Sequence, residues 1–149
     1  MLGFGNSVYL AGYAAATLMP FCADACAISM EGGNENAAYR LAAITEQDVL
    51  LAISLPRYSL DTLQLARFAH ERGARVLAIT DSPASPLTAL ADQVLFAPAE
   101  HPVLTSSSIA VLALIEGLVA AVMARNPACV KLATELTESV VSYLQAPRR

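Results

Sequence analysis

The sequence is poor in basic residues, and this shortage argues against a nucleic-acid-binding domain. Lys and Arg together number 9 against 13 Asp and Glu, which gives a net charge of −4 over 149 residues. Affinity for DNA or RNA depends on clustered positive charge, and the pair Arg148-Arg149 is the one such cluster in the chain. We therefore expect an isolated domain of this composition to bind nucleic acid poorly.

The chain is also poor in cysteine, with only Cys22, Cys26 and Cys129. Three cysteines are too few for a disulfide framework. Cys22 and Cys26 would share one face of a helix, but no histidine, aspartate or second cysteine pair has the spacing that would complete a metal site. We expect buried free thiols, no metal and no cofactor.

Long apolar runs are missing as well. The longest, residues 109–124, is interrupted by Glu116 and Gly117, whereas a membrane-spanning helix needs about 20 apolar residues. The N-terminus has no basic segment typical of a signal peptide. These features predict a core or interface helix over the apolar run, no membrane association, and one cytoplasmic domain over residues 1–149 with enough length to bury a core.

Short apolar runs alternate with helical patterns along the chain. Caps, proline and glycine stops, and apolar spacing predict helices at residues 6–19, 34–44, 60–72, 106–125 and 128–144, and a short helix beginning at Ser85 and Pro86. Strands are predicted at residues 25–30, 49–54, 75–80 and 93–96. This alternation is typical of an α/β protein in which helices cover both faces of a parallel sheet.

The start of the chain resembles the end of a strand followed by a glycine turn. Only Met1 and Leu2 precede Gly3 and Gly5, so most of the strand that should carry this turn is missing. We expect a truncated first strand, and the sequence favours a fragment of a longer protein.

Polar residues follow the predicted strands, at the sheet edge where such folds bind ligands. Gly5 and Ser7 follow the first strand, and Ser54, Arg57 and Ser59 follow the strand at residues 49–54. Hydroxyls and helix N-termini suit a phosphate, to which an arginine adds a charged donor. The residues alone leave a second interpretation open, in which Ser59 only caps its helix and Arg57 pairs with a surface carboxylate.

Three segments carry a resemblance to a known family: AISLPRYSLDT, ITDSPASPLTALADQVL and AEHPVLTSSSIAVLALIEGLVAA. They resemble the SIS (sugar isomerase) domain, and within it the ligand-sensing domain of RpiR-type transcriptional regulators. The resemblance implies a five-stranded, flavodoxin-like parallel sheet in a three-layer α-β-α sandwich, a homodimer, and a sugar phosphate or related anionic carbohydrate as ligand. It also implies an upstream helix-turn-helix domain that would bind DNA and that this chain does not contain.

The phosphate loop of that family reads Ser-x-Ser-Gly-x-Thr. Ser54 matches the first serine and Ser59 the threonine, whereas Pro56 and Arg57 stand in place of the second serine and the glycine. The loop therefore loses a hydroxyl and gains a guanidinium. The predicted phosphosugar-binding residues are Gly5, Asn6, Ser7, Ser54, Arg57, Tyr58, Ser59, Thr62, Ser106 and Ser107.

An aldose–ketose isomerase would need a base, usually a glutamate, and a histidine or an equivalent group for ring opening. Glu116 lies inside the apolar helix, where we expect it to form a hydrogen bond at a dimer interface or at the pocket floor. Glu100 and His101 follow the last strand and are better placed, although such loop residues are more often structural. We predict a phosphosugar sensor that is not an enzyme, with a sugar-phosphate isomerase and a degenerate dimerisation module as the alternatives.

Overall fold

The computed structural model describes residues 1–28 and 33–145, without the side chain of Asn34. In chain order these residues form five α-helices and three strands: α1 (Ser7–Leu18), α2 (Gly33–Leu41), β1 (Val49–Ile53), α3 (Leu60–Glu71), β2 (Arg75–Thr80), β3 (Gln93–Phe96), α4 (Ile109–Arg125) and α5 (Pro127–Gln145). Short 3₁₀ helices lie at Met19–Phe21 and Pro86–Ala89. Apart from the strand predicted at residues 25–30, the element types and most boundaries agree with the sequence predictions.

The sheet has the order β1-β2-β3, and both pairings are parallel. Leu2 extends it by one bridged residue on the β1 side, since its N–H donates to the Leu51 carbonyl at 2.8 Å and its own carbonyl accepts from the Ile53 N–H at 2.8 Å. A second parallel bridge joins Leu2 to Ile28. The α/β fold class is confirmed, with a truncated first strand.

Of the five strands expected, with the first one truncated, three form as strands in the part of the chain that the structure describes, and the first two are reduced to parallel bridges at Leu2 and Ile28. Residues 25–27 are irregular and Ile28 forms a single bridge, so the predicted strand at residues 25–30 is absent there; Ser29 and Met30 lie outside the described residues. A strand needs a paired neighbour, and within the described residues Leu2 is the residue that bridges to Ile28. The Ile28 N–H donates to the Met1 carbonyl at 2.8 Å.

The core is divided between the two faces of the sheet because successive side chains of a strand point in opposite directions. Leu50 and Ala52 pack into the cluster on the face covered by α2 and α3. Leu51 and Ile53 pack into the opposite cluster, against α1 and α4. The three-layer sandwich is thereby confirmed, and it holds the carboxyl ends of the strands at one common edge.

Two predicted caps define the entry to the elements that follow β1 and β2. Ser59 Oγ accepts from the Thr62 N–H at 3.3 Å and caps α3, and Ser85 Oγ accepts from the Leu87 N–H at 3.4 Å. Each hydroxyl satisfies an amide that the first turn of a helix leaves unpaired. The two caps fix the residues at which the helices after β1 and β2 begin.

The three cysteines are free, but the expectation that they are buried is wrong. Cys22 and Cys26 are exposed and Cys129 is half-buried. The reason is that α1 ends at Leu18 and the chain then leaves the helix, so Cys22 and Cys26 lie on a surface segment. Within residues 1–28 and 33–145, no group of three His, Cys, Asp or Glu side chains is arranged to hold a metal ion.

Helices α4 and α5 leave much apolar surface uncovered. Val111 and Ile115 are the buried residues of α4, and Ala133 is the buried residue of α5. An exposed row spaced four residues apart runs along α5, and we call it the α5 stripe: Leu132, Leu136, Val140 and Leu144. Over the described ranges no single helix has the length and composition to cross a membrane. Helices α4 and α5 meet that criterion only when they are taken together, and they are bent by 110° relative to each other.

Candidate functional site

An open cavity of about 540 Å³ lies beyond the carboxyl ends of the strands, and we call it the carboxyl-edge cavity. It gathers side chains from the start of α1, the loop after β1 and the loop before α4. Seven of the ten predicted binding residues line it: Gly5, Asn6, Ser7, Ser54, Arg57, Ser59 and Ser106. These positions are distant in sequence, and the parallel sheet is what brings them together.

The turn between Leu2 and α1 needs glycine for two physical reasons. A Cβ on Gly3 would lie 2.5 Å from the Ser7 carbonyl oxygen, closer than any real contact, so only glycine allows the backbone to approach there. Gly5 has φ +59°, in the left-handed region that other residues rarely adopt. The resulting tight turn places Ser7, which is 6% exposed, in the cavity wall.

Ser54 contributes a buried hydroxyl to the same wall. Its side chain is 2% exposed, and among the described residues its Oγ has no hydrogen-bond partner. Its backbone is held on both sides, since its N–H donates to the Ile79 carbonyl at 3.1 Å and its carbonyl accepts from Thr80 Oγ1 at 2.7 Å. A buried hydroxyl without a partner is costly, so this position is well suited to receive a ligand atom.

Arg57 occupies an unusual backbone conformation at the tip of the loop after β1. Its φ is +74°, and it is the one residue other than glycine with a positive φ in the described chain. The left-handed region costs a side-chain-bearing residue about 1–2 kcal/mol. Arg57 stands at the position where the family loop has glycine. The substitution of arginine for glycine therefore introduces backbone strain at this position and adds a guanidinium.

The electrostatics of the carboxyl-edge cavity come from two charged side chains. Arg57 is exposed and is the one cationic residue among the described residues that line it, and Asp61 from the first turn of α3 is the one anionic residue. The remaining polar lining is neutral. An anion placed near Arg57 and away from Asp61 would meet a favourable field.

Three predicted binding residues lie outside this lining. Tyr58 donates its Oη–H to Asp81 Oδ1 at 2.9 Å, and partial burial together with this bond raises the pKa of Tyr58. Thr62 is fully buried, and its Oγ1 has no partner in the described part of the protein. Ser107 lines a neighbouring cavity instead. These three side chains therefore do not contribute to the lining of the carboxyl-edge cavity.

The neighbouring cavity, which we call the side cavity, has a volume of about 600 Å³ and lies between α1, α4 and the loop before α4. It shares Asn6 and Ser106 with the carboxyl-edge cavity. Its other lining is mostly apolar and aromatic: Tyr9, Leu10, Tyr13, Leu104, Ile109 and Leu112, with His101, Ser107 and Ser108 as polar members.

The three candidates for proton transfer do not converge on one point. Glu100 is exposed and lines neither cavity. His101 lines the side cavity, where its Nδ1 accepts from the N–H groups of Val103 and Leu104 at 3.0 and 2.7 Å. Glu116 is exposed and accepts a hydrogen bond from Tyr13 Oη, which raises the pKa of Tyr13. In the single chain, Glu116 is therefore not at the floor of the carboxyl-edge cavity.

Sequence reasoning missed several residues that line the carboxyl-edge cavity: Phe4, Leu55, Pro56, Asp61 and Thr105. Asp61 was not among the predicted binding residues, because its carboxylate repels a phosphate. Thr105 directly precedes the serines of the loop before α4, so the hydroxyl-rich run there was a signal that could have been extended by one residue. Phe4 and Leu55 carry no chemical signal in the sequence.

Comparison with known families identifies the domain to which the chain belongs. The family model of the SIS domain matches residues 2–121, which is most of the chain and includes both cavities. The protein belongs to the SIS domain family. The resemblance inferred from the three sequence segments is thus confirmed at the family level. Comparison with curated proteins finds no match.

Solved structures share the SIS fold of this chain. The sugar isomerase domain of an RpiR transcription factor from Sphaerobacter thermophilus superposes with TM-score 0.79 at 27% identity, covering 92% of this chain and 76% of that one. Vibrio vulnificus NanR complexed with ManNAc-6P gives TM-score 0.82 at 23% identity, covering 98% of this chain but only 55% of NanR. A candidate phosphosugar isomerase from Bacteroides fragilis gives TM-score 0.69 at 24% identity, covering 85% and 68%. The second and third similarities show the fold alone.

Proposed function

We propose that this SIS domain is the phosphosugar-binding effector domain of an RpiR-type transcriptional regulator of carbohydrate metabolism, acting in the cytoplasm. The observation that carries the proposal is the carboxyl-edge cavity, whose lining includes Ser7, Ser54, Ser59 and Arg57. Hydroxyl donors around a single cation suit a phosphate, which has several acceptor oxygens. The similarity to the RpiR sugar isomerase domain supports a regulator over an isolated enzyme.

Five of the lining residues have an assigned role in this proposal. Arg57 pairs with the phosphate charge, and the unpartnered hydroxyl of Ser54 donates to a phosphate oxygen. Gly5 and Asn6 allow the ligand to approach the start of α1, and Ser106 closes the far side. Tyr58 acts indirectly, because its hydrogen bond to Asp81 holds the loop that carries Arg57.

The proposed regulatory step depends on a homodimer. The α5 stripe is an apolar surface of the kind that subunit interfaces cover. A ligand with different affinity for two arrangements of the dimer would shift their populations. In a longer protein with a helix-turn-helix domain, this shift would change the spacing of the DNA-binding heads.

Binding is best tested by isothermal titration calorimetry with inorganic phosphate, glucose 6-phosphate, fructose 6-phosphate and ManNAc-6P, and with unphosphorylated glucose as the negative ligand. We expect heat of binding for at least one sugar phosphate, and weaker binding after Ser54→Ala. Ser85→Ala is the matched control, because Ser85 is equally buried at 2% exposure but lies outside the cavity. Heats of dilution alone for the whole panel would reduce the domain to a dimerisation module.

The isomerase alternative rests on His101, which lines the cavity that adjoins the proposed phosphate site, and on the fold shared with candidate isomerases. It predicts turnover in addition to binding. Incubating the protein with hexose and pentose phosphates and following aldose–ketose exchange by NMR separates the two functions. The sensor proposal expects no exchange above the buffer rate, and exchange that is lost in His101→Ala would favour the enzyme.

A further inference from the structure

Two of the free cysteines, Cys22 and Cys129, belong to segments that are distant in sequence but pack together. Cys22 directly follows the 3₁₀ helix Met19–Phe21, which continues from the end of α1, and Cys129 lies in the first turn of α5. Helix α5 packs against that 3₁₀ helix. The fold therefore brings the two cysteine-bearing segments to one place, although neither thiol has a role in the carboxyl-edge cavity.

Helical periodicity turns Cys129 toward this contact. Cys129 precedes Ala133, the buried residue of α5, by four positions, and residues four apart lie on the same face of a helix. Cys129 is itself half-buried, whereas Leu132 and Leu136 of the α5 stripe are exposed. The thiol of Cys129 is therefore on the packed side of α5 and not on the α5 stripe.

The two thiols are also electrostatic neighbours. Partial burial raises the pKa of the Cys22 thiol, and the charge of a Cys129 thiolate raises that pKa further. The interaction between two charges falls with their separation and is screened by solvent at longer range, so this influence agrees with the packing of the two segments. Cys22 is exposed, which leaves its sulfur open to a reagent from solution.

We propose that Cys22 and Cys129 form a reversible intrachain disulfide, which clamps α5 against the end of α1 when a small-molecule disulfide is the oxidant. The thiolate of one cysteine attacks a sulfur of the oxidant, which forms a mixed disulfide and releases one thiol. The thiolate of the other cysteine then attacks the protein sulfur of the mixed disulfide, which closes the bond between the two cysteines and releases the second thiol. The two cysteines thus lose two electrons and two protons, and the oxidant takes them up as two thiols.

The clamp would act on a helix that the rest of the fold holds weakly, since Ala133 is the buried residue of α5. Elements with few buried apolar contacts open locally at low cost. The cross-link would close a loop of about 100 residues, and disulfides that close long loops stabilise most strongly in the chain-entropy model. Because the α5 stripe lies on the same helix, oxidation would also fix the position of that apolar surface. The inference does not depend on phosphosugar binding.

Disulfide formation is tested in the Cys26→Ser variant, because Cys26 lines the same cavity as Cys22 and is the competing thiol. The variant is equilibrated with reduced and oxidised glutathione at several ratios, blocked with iodoacetamide and digested with trypsin without reduction. We expect mass spectrometry to show residues 1–40 linked to residues 126–131, the tryptic peptides that carry the two cysteines. Absence of this linked pair at every ratio, or a disulfide between two chains in its place, overturns the inference.

The clamping effect is tested by proteolysis at Lys131, which is the one lysine in the chain and lies on α5. A lysine-specific protease can cut there only when the helix opens locally. Oxidised Cys26→Ser should be cut about tenfold more slowly than the reduced form of the same variant. The control is Cys22→Ser combined with Cys26→Ser, which cannot close the bond and should be cut at the reduced rate with or without oxidant. Equal cleavage rates for oxidised and reduced Cys26→Ser would show that no clamp forms.

Discussion

Tyr58 Oη lies 2.9 Å from Asp81 Oδ1, and this hydrogen bond joins the loop after β1 to the end of β2. The neighbouring bond from Thr80 Oγ1 to the Ser54 carbonyl, at 2.7 Å, joins the same two segments. Between these ties lies Arg57 with its positive φ. Strained backbone persists only where the surroundings enforce it, and β2 supplies that enforcement here.

The stabilising effect of Tyr58 should disappear in alkaline solution. Burial and the bond to Asp81 raise its pKa above the ordinary value near 10, because ionisation would place a phenolate beside a carboxylate. A raised folded-state pKa contributes stability that is complete below pH about 10 and is lost as pH rises through the shifted pKa. The free energy of unfolding of the wild type should exceed that of Tyr58→Phe by about 1 kcal/mol near pH 8, as measured by urea unfolding.

The same experiment repeated near pH 11 should show a smaller difference between wild type and Tyr58→Phe. Subtracting the two proteins removes the contributions of the other tyrosines. Tyr39→Phe serves as the control, since Tyr39 is 70% exposed on α2 and its loss should leave stability unchanged at either pH. A difference that stays constant between the two pH values would show that Tyr58 does not stabilise the loop in this way.

Replacing Arg57 should separate backbone strain from charge. Arg57→Gly removes both the strained side-chain-bearing residue at φ +74° and the guanidinium, and we expect it to raise the free energy of unfolding by about 0.5–1 kcal/mol. Arg57→Ala removes the charge but keeps the strain, so it should not stabilise. Both variants should weaken sugar-phosphate binding about tenfold and reduce its dependence on salt.

Calorimetry over a range of NaCl concentrations measures the affinity for sugar phosphate and its dependence on salt. Urea unfolding measures the change in the free energy of unfolding. If Arg57→Gly and Arg57→Ala have equal stability, the positive φ carries no strain. Should both variants bind as tightly as wild type, the guanidinium is a surface charge without a role in the site.

Thr62 should respond to substitution differently from Ser54, although both carry a buried hydroxyl for which the described residues supply no partner. Thr62→Val keeps the shape and removes the unsatisfied group, so unfolding should become more costly by about 1 kcal/mol. The affinity for sugar phosphate should not change, because Thr62 lies outside the cavity lining. Loss of binding in Thr62→Val with normal stability would instead place this hydroxyl in the site.

The α5 stripe should hold the proposed dimer together. Val140 is 56% exposed in the single chain, and Val140→Glu would force a charge into an apolar interface. We expect sedimentation velocity to show a monomer for this variant. Thr134→Glu introduces the same charge on another face of α5 and should remain a dimer. A wild-type protein that sediments as a monomer at micromolar concentration would contradict the proposed regulatory step.

Local patterns allowed much of the fold to be read from the sequence. The boundaries of β2 and β3 were predicted without error, and Ser59 and Ser85 were identified as caps, because a cap or a buried strand depends on a few neighbouring residues. The truncated first strand was expected, but the single bridge at Ile28 in place of a predicted strand was not. Whether a strand forms there depends on the neighbouring segment of the sheet, and within the described residues Leu2 is the residue that bridges to Ile28.

The residue types of the site were a property of the sequence: glycines where a tight turn needs them, serines and an arginine after strands, and a match to the SIS domain. Which of those side chains share a cavity was decided by the tertiary structure alone. The parallel sheet places Ser7, Ser54 and Ser106 around one space, while the rotation of α3 turns Thr62 into the core. The sequence determines which chemical groups follow each strand. The direction of each side chain depends on contacts between segments that are distant in sequence.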